Sequence, residues 1–259
     1  DENRGWAIDL DHLDACVSTR TRALVLISPH NPTGHVSSLE EIAGLADIAL
    51  RHDLAILSDE VFSEFLLASP SLPRPAGSCA PLVFTLNGFS KMFALPGLKL
   101  GWIASSGDPD RVRQAVQALE LVSDTFLPVN EPIQAAVSEV FKKGESFRLS
   151  YVADILERWT VTQELLAGSQ SFTYVQPGGG FYVTLRLAGL EEELAAETIL
   201  REEQILVHPG YFYDMDHQHL VISFIQEPAA MRQALPRLLG TLEGLAPQGT
   251  PRCCDSLKT

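Results

Sequence analysis

Three short segments carry side chains that could do chemistry together: Asn31-Pro-Thr-Gly34, Asp59-Glu-Val-Phe62 and Ser90-Lys-Met-Phe-Ala-Leu-Pro-Gly-Leu-Lys-Leu-Gly-Trp102. They bring, in order, an amide, a carboxylate and a primary amine. The amine of Lys91 is the side chain able to form an imine with a carbonyl compound. Taken singly, each segment is ordinary. An N-P-T-G stretch is most often just a turn, an Asp at a strand end is usually a cap, and Ser-Lys pairs are common. Their order and spacing set them apart, with 28 residues from Asn31 to Asp59 and 32 more to Lys91.

Each segment follows a predicted strand at its carboxyl end, the edge of an open α/β sheet where ligands bind. The unbroken apolar run 23–27 reads as a strand buried on both faces of a parallel sheet, and 54–57 as a second. Residues 82–86 and 98–104 make a third and a fourth. Helices are predicted over 9–18, from a cap at Ser37 or Ser38 to about residue 51, and over 108–122, 131–143 and 145–167. Short strands (173–176, 181–187, 219–224) and helices (191–203, 229–245) follow. The pattern predicts a large α/β domain over 1–146, a smaller α+β domain over 147–246 and a disordered tail over 247–259.

The chain has 259 residues and a formal net charge of −14, with 33 acidic against 19 basic residues. It has no basic cluster of the kind that nucleic acid or an anionic membrane requires. No apolar run approaches the roughly 20 residues of a membrane span. Cys16, Cys79, Cys253 and Cys254 lack metal-ligand spacing and read as reduced thiols of a cytoplasmic protein. No metal is expected.

In register, the three segments resemble the class I/II aminotransferases, the fold-type-I pyridoxal-phosphate enzymes of the aspartate-aminotransferase superfamily. The resemblance runs from about residue 6 to 245, and the S-K-x-x-A-L-P-G-L-K-L-G-W stretch is its most specific part. It implies an α/β fold with a mostly parallel central sheet in a partial large domain, followed by the smaller α+β domain. It implies pyridoxal 5'-phosphate as cofactor, with Lys91 forming the Schiff base and then acting as the proton-moving base. Asp59 matches the carboxylate that keeps the pyridine nitrogen protonated. Asn31 matches the amide that donates to the cofactor's ring oxygen, Ser90 a phosphate ligand, and Lys99 a position where many relatives place a phosphate-binding arginine. Pro177-Gly-Gly-Gly-Phe181-Tyr and Val207-His-Pro-Gly-Tyr-Phe212 resemble two further family segments near the site. An amino acid and a 2-oxo acid are the implied substrates, and a homodimer the implied assembly.

The sequence departs from the family at two positions and in one stretch. Phe62 stands where a tyrosine usually donates to the ring oxygen. Val221, in Leu220-Val-Ile-Ser-Phe224, stands where an arginine usually clamps the substrate carboxylate; this leaves another cation, with Arg186, His208 and His219 as candidates, an unusual substrate, or lost activity. The upstream segment that cradles the phosphate in relatives has no counterpart before Asn31, so the chain reads as a fragment. The expected function is transamination. A carbon–sulfur lyase and a non-catalytic relative are the alternatives.

Overall fold

The computed structural model describes residues 2–68, 71–216 and 218–245. The predicted tail over 247–259, with Cys253 and Cys254, lies outside them. The described chain divides into two compact units. One holds Asp1–Leu156 with Gln176–Phe181, the other Glu157–Val175 with Tyr182–Thr259.

In the first unit, helix α1 (Leu10–Cys16) leads to strand β1 (Ala23–Ile27), helix α2 (Leu39–His52) and strand β2 (Ala55–Asp59). Strand β3 (Leu82–Gly88) runs into the single turn α3 (Phe89–Met92), followed by β4 (Gly101–Gly107), α4 (Pro109–Phe126) and α5 (Glu131–Leu166). The sheet has order β1-β2-β3-β4, the first three strands parallel and β4 antiparallel to β3. Helix α2 begins where the sequence predicts. The Ser38 side chain accepts from the Glu41 N–H, and Glu41 reaches back to the Ser38 N–H, a capping box that satisfies two helix-end donors.

The first core joins Leu24, Leu26, Ile56 and Val83 of the sheet to Ile42, Leu45, Ile48 and Ala49 of α2. Only one face of β1 takes part, because Val25 is 69% exposed. The expectation of burial on both faces is therefore corrected: α1 and α2 both pack against the Leu24/Leu26 face, and alternate residues of a strand point to opposite sides. A second core gathers Phe89, Met92, Phe93 and Leu100 with Trp102, Ile133 and Val137.

Two predicted element boundaries also move. β4 starts at Gly101 rather than 98, because Pro96–Leu98 forms a 3-10 turn and Lys99 takes a left-handed conformation (φ 52°). The helices expected over 131–143 and 145–167 are one, α5, running straight through Gly144. That glycine reads as a break but serves close packing: a Cβ there would lie 2.8 Å from the Phe93 ring. The division between units falls inside α5, which gives the sequence no loop to mark it.

The second unit has an antiparallel sheet of order β5-β6-β8-β7, from Phe172–Tyr174, Tyr182–Leu187, His219–Ser223 and His208–Pro209. Helices α6 (Glu192–Thr198) and α7 (Pro228–Leu245) complete it. The helix expected over 191–203 changes pitch, since Ile199–Glu203 is a π-helical turn. Buried carboxylate Glu192 accepts from the N–H groups of Tyr211 and His219 and so pins the 3-10 turn Gly210–Tyr213.

Candidate active site

Parallel pairing puts the carboxyl ends of β1, β2 and β3 side by side, with Ile27 opposite Asp59 and Asp59 opposite Leu86. Asp59 is the last residue of β2, Asn31 lies in the loop after β1, and Lys91 lies in α3, directly after β3. The amide, the carboxylate and the amine thus follow the strand order.

The loop after β1 is tightly bonded. His30 N–H donates to the His35 carbonyl (2.8 Å) and Gly34 N–H to the His30 carbonyl (2.8 Å). His30 Nδ1 meets Thr33 Oγ1 at 2.9 Å, and His35 Nε2 meets Glu41 Oε1 at 3.0 Å. Burial, aided by His35, lowers the pKa of His30. For Glu41, burial alone would raise the pKa. The N–H groups of Ser38 and Ile8, together with His35, outweigh it and hold the carboxyl below its ordinary value. Gly34 has φ +70°, and a Cβ there would come 2.3 Å from Pro177 Cβ. Its carbonyl accepts from both Gly178 and Gly179 N–H, and Gly180 N–H donates to the Phe65 carbonyl. The Pro177–Phe181 segment is therefore knitted onto the Asn31–Gly34 turn by its own backbone, a contact the sequence did not announce.

Asp59 ends β2 and accepts from Val61 N–H at 3.1 Å. Glu60 turns inward, buried, and binds Ser58 Oγ (3.1 Å) and Arg74 Nε (2.5 Å). Phe62 is buried and meets Phe181 edge-to-face at 5.0 Å. Lys91, on α3, holds its Nζ 5.5 Å from the Phe62 ring centre and 5.6 Å from that of Phe181, within cation–π range. Ser90 shares that turn with Lys91, and Lys99 lies exposed beyond it. Asn87 joins the β2 and β3 loops: its Nδ2 donates to the Glu60 carbonyl and to Ser63 Oγ, both at 3.0 Å. Glu41, Glu60 and Asn87, which brace these loops, are no part of the site the sequence predicts. Of the three only Glu41 has a sequence signal, its place in the Ser38 capping box.

These residues fit a cofactor with an aldehyde, a ring oxygen and a ring nitrogen in most respects. Lys91 supplies an amine and Asp59 a carboxylate on the neighbouring loop. Among the described residues the buried Asn31 Oδ1 has no hydrogen-bond partner, although buried amides are normally paired; that oxygen only accepts, so the donor to a ring oxygen would be the Nδ2 of the same amide. The fit is incomplete at Phe62, which has no hydroxyl. In the second unit, Val221 is buried, in register with Thr184 and His208. Of the substitute cations, Arg186 is exposed, His208 Nδ1 bonds Tyr213 Oη (2.8 Å) and His219 Nδ1 bonds the Asp216 carbonyl (2.8 Å). Among the described residues no three His, Cys, Asp or Glu side chains gather as a metal site, and no helix is long and apolar enough to cross a membrane.

Known proteins are similar to this chain in sequence and in fold. An alanine aminotransferase of Mycobacterium bovis is 31% identical over 240 residues, which is 85% of this chain and 54% of that protein. The alanine aminotransferase of Pyrococcus furiosus superposes with a TM-score of 0.87 at 20% identity, covering 94% of this chain and 63% of that one, a likeness of fold. An aspartate aminotransferase of Thermus thermophilus, solved with maleate, superposes with a TM-score of 0.81 at 28% identity over 93% and 62%. The chain thus spans between half and two-thirds of the length of these proteins. With the pattern of "Aminotransferase class I and II" matching residues 1–238, the chain belongs to that family.

Proposed function

We propose that this chain forms the lysine-bearing part of a pyridoxal-phosphate aminotransferase that moves an amino group from an amino acid to a 2-oxo acid. The observation that carries the reading is the alignment of Asn31, Asp59 and Lys91 after three adjacent strands, with Lys91 Nζ against the rings of Phe62 and Phe181. When bound, the cofactor supplies an aldehyde and an electron-accepting ring. Lys91 would supply the amine that holds the aldehyde, and its free amine would serve as the base for the substrate Cα proton. Asp59 holds the proton on the ring nitrogen. Asn31 donates to the ring oxygen, while Ser90 and Lys99 serve the phosphate.

Phe62 leaves Asn31 as the donor to that oxygen, and a lone donor stabilises the unprotonated cofactor–lysine linkage less than two would. The visible absorbance change on titrating the loaded chain should therefore fall at a higher pH than in a Phe62→Tyr variant. A lower transition in the native chain contradicts this role for Phe62. The name of the Mycobacterium bovis relative makes alanine the first donor to try, with glutamate beside it. A cytoplasmic homodimer belongs to the same reading, and sedimentation of the loaded protein tests the assembly.

The test of the reaction is the visible spectrum with added cofactor, before and after L-alanine or L-glutamate. A band that shifts to the amine form of the cofactor supports transamination despite Val221. A stable band with no shift points instead to other chemistry, such as carbon–sulfur cleavage. No band at all favours a non-catalytic relative.

A further inference from the structure

Where β2 stops at Asp59, β3 runs on for two residues, and Glu60 N–H makes a last bond to the Leu86 carbonyl (2.9 Å). Beyond that point side-chain bonds from Asn87 take over from the backbone ladder. Both amide hydrogens of Asn87 are used, one on the Glu60 carbonyl and one on Ser63 Oγ. Its Oδ1 accepts from Gly88 N–H at 2.7 Å. Gly88 is the residue that caps α3, the turn carrying Lys91, and has no side chain to cap it with. The Glu60 carbonyl also accepts from Ser63 N–H (2.9 Å), which closes the turn leading from Asp59 to Phe62 and Ser63. One amide therefore divides its two donor bonds and one acceptor bond between the loop that follows Asp59 and carries Phe62 and the turn that carries Lys91. Glu60 is anchored independently by Ser58 and Arg74, so the Asn87 donors grip a fixed point.

We infer that Asn87 is a positioning residue, a strut that sets the spacing between Lys91 and the Asp59–Phe62 turn; the inference rests on the reading of Lys91 and Asp59 given above. Asn87→Asp keeps the bond from Gly88 and can accept from the Ser63 hydroxyl, but it loses the donor to the Glu60 carbonyl and sets an acceptor against it. Asn87→Ala removes all three bonds. Amide hydrogen exchange on the full chain separates the two variants. Exchange at Ser63 should rise about tenfold or more in both, as expected when a buried hydrogen bond is lost. Exchange at Gly88 should rise only in Asn87→Ala, and the amides of α2 should keep their native rates in both. Cofactor affinity, read by titration, should fall about tenfold in each variant.

If either variant fails to fold, Ser63→Ala removes one of the two acceptors and should give a smaller change of the same pattern. Native exchange at Ser63 in Asn87→Asp overturns the strut. So does a loosened Ser63 with unchanged cofactor affinity, or a uniform rise that includes α2. In Lys91→Ala, exchange at Ser63 and Gly88 should stay native. If cofactor still attaches covalently to that variant, the reading of Lys91 fails, while the exchange pattern at Ser63 still decides the strut.

Discussion

The two units treat their apolar side chains differently. In the second, Phe224 is fully buried against Trp159 with ring centres 5.1 Å apart, and α7 buries Met231, Leu235, Leu238 and Leu242. In the first, helix α4 has 18 residues and buries none of them; Leu121, Val122 and Phe126 are exposed, Phe126 at 77%. Both helices are amphipathic in sequence, so pattern alone does not tell a helix that closes a core from one whose apolar stripe faces outward. The site residues lie at the far end of that contrast. They follow β1–β3, one face of which shares a core with α2, and not α4.

Substituting one phenylalanine in each unit tests this directly. Phe224→Ala should lower unfolding free energy by about 3–5 kcal/mol, the usual cost of emptying a buried aromatic site, measured by denaturant melts. Gly34→Ala comes next. The new methyl would collide with Pro177, costing about 1–3 kcal/mol and loosening the Gly178–Gly180 segment; native stability in that variant would mean the turn does not clasp the glycines.

A smaller and pH-dependent effect is expected at Glu41. Its carboxyl is held below the ordinary value, so its stabilisation is complete above that value and is lost as pH falls through the depressed folded-state pKa. Glu41→Gln should cost about 1 kcal/mol at neutral pH and flatten the acid limb of the stability curve. An unchanged acid limb would remove Glu41 as its source. Phe126→Ser should change stability by no more than about 0.5 kcal/mol; a cost near that of Phe224→Ala would show that the α4 face is covered in solution.

Much of this was legible in the sequence. A cap at Ser37 or Ser38 announced α2, and the apolar runs 23–27 and 54–57 placed two of the three chemical loops. The burial of β1 was not legible, because a run such as Ala-Leu-Val-Leu-Ile is the same whether one face or two are covered. Gly144 misled for a related reason: a glycine that makes room for Phe93 and one that ends a helix are the same letter. Asn87 gave no signal, since its partners lie 24 and 27 residues away in the chain and meet it only after β2 and β3 pair.

The most direct measurement is to load the chain with pyridoxal phosphate, reduce it with borohydride and map the modified peptide. The chain has five lysines: Lys91, Lys99, Lys142, Lys143 and Lys258. The structure predicts the label on Lys91 and its loss in Lys91→Ala. Label spread over the other four, or placed on one of them with Lys91 unmodified, would contradict the assignment of the site.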